Sequence, residues 1–151
     1  MDTLVACPKC EVINRVGLVR ADQARPVCGR CKTELPVHHG VQALSAATLR
    51  ALTQKSSRPV VVDFWAPWCG PCLAFAPVYQ QAAREFAGRM VLTKLDTEAN
   101  PAAGEAYHIR GIPTLAVFVN GLEVGRQSGA MPLPALIDYL KRFEGASQVK
   151  S

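Results

Sequence analysis

The sequence predicts an α/β fold preceded by a small module that cysteines, rather than an apolar core, must hold together. Three observations carry this. From Val41 onward, strand-like and helix-like patterns alternate. All ten aromatic residues fall between Phe64 and Phe143. Four of the six cysteines lie within the first 31 residues. We therefore divide the chain into a zinc-ribbon-like module of four cysteines over residues 1–40 and an α/β domain over 41–151. A front segment of about 40 residues without Phe, Tyr or Trp buries too little apolar surface to offset its conformational entropy. Segments of that size need disulfides, a metal or a partner.

The elements come in order. Val41–Leu44 reads as a short strand, with Ser45 as N-cap of a helix running to about Gln54. Val60-Val61-Val62-Asp63-Phe64-Trp65 is the β-branched, apolar run of a strand buried on both faces, interrupted only by Asp63. Past Gly70-Pro71, residues Cys72, Phe75, Ala76, Tyr79, Ala82, Ala83 and Phe86 form one helical stripe, with a kink expected at Pro77. Val91–Asp96 is a strand and Pro101–Tyr107 a short helix. Thr114–Val119 and Leu122–Arg126 form a hairpin about Asn120-Gly121, whose residues both tolerate positive φ. A final helix carries Leu133, Leu136, Ile137, Leu140 and Phe143 on one face. Residues past Gly145 are small and polar, and fraying is expected there.

Composition narrows the function. Hydrophobic residues at 49% and charged residues at 19% are ordinary globular usage. Of the net charge of +5, residues 1–40 contribute +2 and the remainder +3, with no basic run and no interleaving of basic and aromatic residues. A nucleic-acid partner is not expected. No apolar run approaches the roughly 20 residues that span a bilayer, and Asp2 stands where a secretory signal would be basic. We expect a cytoplasmic monomer with no membrane contact.

The chemistry concentrates in Trp68-Cys69-Gly70-Pro71-Cys72. Two thiols three positions apart can close a disulfide. Cys69 falls at the start of a helix, where unpaired N–H groups and the dipole favour a thiolate, so its pKa should fall from about 8.5 toward neutrality. That makes Cys69 the nucleophile. Cys72, one turn in and on the apolar stripe, suits resolution of a mixed disulfide. Asp63, a carboxylate inside a buried strand, should have a raised pKa unless a cation offsets it, and Lys94 in a neighbouring strand is the candidate cation. A purely structural Asp63–Lys94 pair is the alternative.

Cys7-Pro8-Lys9-Cys10 and Cys28-Gly29-Arg30-Cys31 form C-x2-C-x17-C-x2-C, the spacing of a tetrahedral zinc site. Four thiolates fill the shell, so one structural Zn2+ is expected at Cys7, Cys10, Cys28 and Cys31, and no bound organic cofactor. Two disulfides, disfavoured in a reducing compartment, and an iron-sulfur cluster are the rivals. His38 and His39 are expected to be solvated linker residues, and His108 structural or exposed.

Val62-Asp63-Phe64-Trp65-Ala66-Pro67-Trp68-Cys69-Gly70-Pro71-Cys72 resembles the active-site signature of thioredoxins. Ile109-Arg110-Gly111-Ile112-Pro113-Thr114 resembles the family's cis-proline loop, and Ser128-Gly129-Ala130 its groove-lining glycine segment. The resemblance spans about residues 41–145. With the front cysteines, the whole chain is similar to the zinc-containing bacterial thioredoxins, the thioredoxin 2 type. What this implies is a four- or five-stranded mixed sheet covered by helices, and a reductase of disulfide-containing proteins recycled by NADPH-dependent thioredoxin reductase. It further implies a cis bond before Pro113, presentation of the Ile112 backbone to substrate, a groove completed by Trp68, Gly111 and Gly129, and proton handling by Asp63 and Lys94. Pro67 stands where the family is often acidic, and Leu73 where it often has Lys or Arg. The competing reading is a zinc-dependent redox sensor or chaperone that uses the second domain to recognise partners.

Overall fold

The computed structural model describes residues 2–17, 26–35 and 40–145. Pro36, His38, His39 and the residues after Gly145 lie outside that set.

The front module opens with an antiparallel hairpin, β1 (Asp2–Ala6) against β2 (Ile13–Gly17), with Ala6 opposite Ile13. The main sheet has five strands: β3 (Gln42–Ala43), β4 (Val60–Trp65), β5 (Val91–Asp96), β6 (Thr114–Val119) and β7 (Leu122–Ser128). Their spatial order is β3-β5-β4-β6-β7. β3, β5 and β4 run parallel, while β6 and β7 pair antiparallel to their neighbours. The sheet is therefore mixed, and β4 is its centre. That position explains why β4 reads as one apolar run.

Period-2 alternation sorts its side chains. Val60, Val62 and Phe64 face one layer, with Leu49 and Leu52 of α1 (Ala46–Lys55) and Ala103 of α3 (Pro101–Ala106). Val61, Leu115 and Val117 face the other, under α2 (Gly70–Glu85) and α4 (Leu133–Lys141). Asp63 shares the parity of Val61, which sets it beneath α2, the helix that begins at the two cysteines. Tyr79 of α2 donates its hydroxyl to the Thr93 and Val61 carbonyls at 2.7 and 3.1 Å, tying that helix to the strands it covers.

Several elements differ from expectation. The first strand of the main sheet is two residues rather than four. Ala76 is exposed: the buried α2 positions Cys72, Phe75, Tyr79, Ala82 and Ala83 leave it at the stripe's edge. Pro77 lies within one continuous helical span. β7 runs two residues past Arg126, because Gln127 and Ser128 still pair with Leu115 and Thr114. β7 also bulges at Val124, since Gly125 faces Val117 while Glu123 faces Phe118. α4 ends at Lys141, and Tyr139 joins its buried face.

The front segment has more apolar anchorage than its missing aromatics suggested. Val5, Val16 and Leu35 surround the buried Cys7 and Cys28. Leu4 and Ala6 enter the main core beside Leu44, Leu49 and Leu52. Part of the front segment's core is thus supplied by α1 and the main sheet.

Candidate functional site

Cys69 and Cys72 stand at the junction of β4 with α2 and are joined by a disulfide, with Cα atoms 5.2 Å apart. Cys69 is the N-cap of α2, and its Sγ accepts the Cys72 backbone N–H at 3.2 Å. A sulfur thus occupies the place of the usual capping oxygen, and the N–H groups that stabilise a helix start point at the reacting atom. Pro71 within the first turn costs no hydrogen bond there. Cys69 is 4% exposed and Cys72 2%.

The loop before β6 faces this sulfur. The Ile112–Pro113 peptide is cis, and the Ile112 carbonyl oxygen lies 3.8 Å from Cys69 Sγ. Gly129, at φ +92°, donates its N–H to the Pro113 carbonyl at 2.8 Å, which holds the glycine segment against that loop. Gly129 needs its left-handed backbone, where an L side chain would be strained. Trp68 is 70% exposed beside Cys69, and Leu73 also reaches solvent. Among the sequence-derived groove residues, Trp68, Gly111 and Ile112 line one open cavity of about 490 Å³ with Cys69. Pro113 is buried behind it, and Gly129 is reached through the Pro113 hydrogen bond.

Asp63 is 3% exposed, and its Oδ1 has no hydrogen-bond partner. Burial pushes its pKa up to about 7, with the positive charge of Lys94 opposing the shift. Asp63 and Lys94 are direct neighbours across the β4–β5 ladder. The Lys94 ammonium sits 4.9 Å from the centre of the Trp65 ring, a cation–π contact that parks the charge at the end of β4. That placement, and Thr97 and Gly104 in the groove lining, were not read from the sequence; Ile109 and Arg110 were read as part of the cis-proline loop but not as groove walls. The one available signal was Gly104, an unforced glycine in a helix.

The four front cysteines converge from two chain segments. All four Sγ atoms lie within 4.8 Å of one another, with Cys7 and Cys31 at 3.5 Å and Cys10 and Cys28 at 3.6 Å. A tetrahedron with metal–sulfur bonds of about 2.3 Å has edges of about 3.8 Å, so the donor set fits zinc. The Lys9 and Cys10 N–H groups point to Cys7 Sγ, and the Arg30 N–H to Cys28 Sγ. The cluster splits its thiols: at Cys10 a backbone hydrogen bond with Val12 lowers the pKa, but burial and the neighbouring thiols outweigh it and push it up to about 11. At Cys28 the N–H of Cys31 leads, burial opposes, and Arg30 adds, giving a pKa lowered to about 6. His108, at φ +55°, is exposed and outside both clusters.

No helix among the described residues is long and apolar enough to cross a membrane. The thioredoxin family model matches residues 40–142. Thioredoxin 1 of Synechococcus elongatus is 41% identical over 100 residues, covering 66% of this chain and 94% of that protein. The chloroplastic M-type thioredoxin of Spinacia oleracea is 38% identical over 113 residues, or 75% of this chain and 62% of that one. Among solved structures, a single-site mutant of a thioredoxin from Halobacterium salinarum superposes with a TM-score of 0.65 at 30% identity, covering 71% of this chain and 93% of that one.

Proposed function

The chain belongs to the thioredoxin family, and from that premise we propose that it reduces protein disulfides with Cys69 as attacking nucleophile, Cys72 as resolving thiol and a zinc-bearing module at its front. It is a thiol-disulfide oxidoreductase. The observation that carries the assignment of roles is Cys69 at the N-cap of α2, accepting the Cys72 N–H while facing the Ile112 carbonyl of the cis-proline loop.

In the reduced protein the Cys69 thiolate attacks one sulfur of a substrate disulfide, and the other sulfur leaves as a thiolate and takes a proton. The Asp63 carboxylate, buried beneath α2, accepts the Cys72 proton. The Cys72 thiolate then attacks Cys69 Sγ, the second substrate thiolate leaves, and two electrons have passed to the substrate. Lys94 offsets the cost of an ionised Asp63 through its field. The backbone of Ile112 aligns the substrate chain as an added strand would, with Trp68, Gly111 and Gly129 around it. Thioredoxin reductase, drawing on NADPH, returns the 69–72 disulfide to the dithiol.

Cys7, Cys10, Cys28 and Cys31 would hold one zinc ion, whose role with four thiolate donors would be to close the module rather than to activate a water. The four-cysteine cluster supports reading the chain as a zinc-bearing thioredoxin of the thioredoxin 2 type, with a module over residues 1–40 and a reductase domain over 41–151. A reducing compartment, the cytoplasm, suits both the four free thiolates and recycling by a reductase.

The test is insulin-disulfide reduction with NADPH and a thioredoxin reductase. Wild type turns over, Cys69→Ser does not, and Cys72→Ser accumulates a mixed disulfide with substrate. No turnover by wild type would sink the reading. One equivalent of zinc, released by a mercurial and titrated with a chromogenic chelator, tests the module.

A further inference from the structure

The cavity beside Cys69 is a recess whose walls include Trp68, Thr97, Gly104, Ile109 and Arg110. Gly104 lies inside α3, where glycine is a poorer helix former than alanine. Its backbone is not left-handed, and an added Cβ would meet nothing within 4 Å. Neither turn geometry nor packing demands glycine there. The space its side chain would occupy is the recess itself.

Arg110 supplies the charge. It is exposed on the groove wall and makes no hydrogen bond or ion pair among the described residues. Among the described residues no carboxylate lines the groove; Glu98 and Glu105, neighbours in sequence of Thr97 and Gly104, lie outside the lining. The Thr97 hydroxyl already donates to the Trp65 carbonyl at 3.0 Å, which leaves the guanidinium as the charged donor. Trp68 and Ile109 offer apolar walls to a side-chain stem.

We propose that this recess is a subsite for an acidic side chain flanking the substrate's reactive cysteine: Gly104 leaves room for it and Arg110 pairs its carboxylate. The subsite rests on Cys69 being the nucleophile at this groove. It makes Gly104 and Arg110 determinants of specificity among disulfide substrates.

The test mixes pre-reduced full-length protein with three peptide dimers, each joined by a single disulfide and differing only in having Glu, Ala or Lys at the two residues before the cysteine. Tryptophan fluorescence follows the single turnover, and the dependence on peptide concentration separates half-saturation from limiting rate. The Glu peptide should react about three- to tenfold faster than the Lys peptide at low salt, with the ratio shrinking as ionic strength rises. Arg110→Glu should reverse the order. Gly104→Leu should raise the half-saturation concentration for the Glu peptide, and Gly104→Ala, which favours the helix and guards against misfolding, should raise it less. Equal rates for the Glu and Lys peptides with wild type, or an unchanged ratio in Arg110→Glu, overturns the subsite. Failure to react with any of the three overturns it together with the reductase reading, and so is distinguishable from loss of preference alone.

Discussion

Among the described carboxyls, Asp63 carries the large upward pKa shift. Asp63 has a pKa of about 7 folded, against an ordinary value of 3.8, because burial penalises its charge more than Lys94 compensates. The folded state therefore holds a proton that the unfolded chain releases between those values, so stability falls as pH rises from about 4 to 7 and then levels off. The span corresponds to about 4 kcal/mol at most. Asp63→Asn should flatten that slope in urea melts between about pH 4 and 8 and raise stability most at the alkaline end. If Asp63 accepts the Cys72 proton as proposed, the same variant should slow insulin reduction; an unchanged pH–rate profile would leave Asp63 as a structural group only. Asp63 was legible because a charge inside β4's apolar run has few meanings. The Trp65–Lys94 contact was not, since nothing in a strand pattern says which way a lysine stem bends. Gly125 was equally silent. An added Cβ there would meet Phe143 Cζ at 2.5 Å and Tyr139 Oη at 2.8 Å, so Gly125→Ala should cost about 1–3 kcal/mol in a thermal melt by displacing those rings from β7.

Among elements, strands β4, β5 and β6 were read to the residue, because central strands buried on both faces leave a mostly apolar run even where Asp63 breaks β4 and Thr93 and Lys94 break β5. Edges were read less well. β3 is short because only Gln42 and Ala43 find partners on β5, and β7, exposed along nearly its whole length, is set by the register of β6 rather than by its own pattern. The hairpin β1–β2 gave no aromatic signal and was missed as structure. What fastens it is polar and distant in sequence. Gln42 accepts the Ala6 N–H and donates to the Leu4 carbonyl, both at 2.9 Å, acting toward β1 as a neighbouring strand would. Glu11 accepts hydroxyl hydrogen bonds from Ser45 and Thr48, the N-cap and first turn of α1. Glu11→Ala should lower stability by about 1 kcal/mol, a modest figure because Glu11 is exposed, and Gln42→Ala by more, because its amide is buried and its loss strands two backbone groups. Chemical denaturation of the two single variants measures both.

At the scale of the whole molecule, these fastenings decide whether the front segment and the main sheet with its helices melt as one body. Leu4 and Ala6 of β1 belong to the same cluster as Leu44, Leu49 and Leu52, and Leu49 and Leu52 are wholly buried. An isolated zinc module hung on a linker would share none of this. If the metal closes the four-cysteine end of that module, its removal loosens β1 and β2, uncovers α1 and withdraws support from the edge strand that carries Gln42. The expected outcome is a single cooperative transition. With cobalt loaded at the four cysteines, thiolate-to-metal absorption reports the front segment, while Trp65 and Trp68, both in the second part of the chain, report the main sheet and its helices by fluorescence. Both signals should change at one temperature, and a strong chelator should lower that temperature for the tryptophans as well. A chain starting at Val41 should be destabilised by several kcal/mol, since it leaves Leu49 and Leu52 partly uncovered and the Gln42 amide without its partners. Two separated transitions, with the tryptophan midpoint indifferent to chelator, would instead make the module an independent appendage, and its contacts with α1 too weak to transmit the state of its metal.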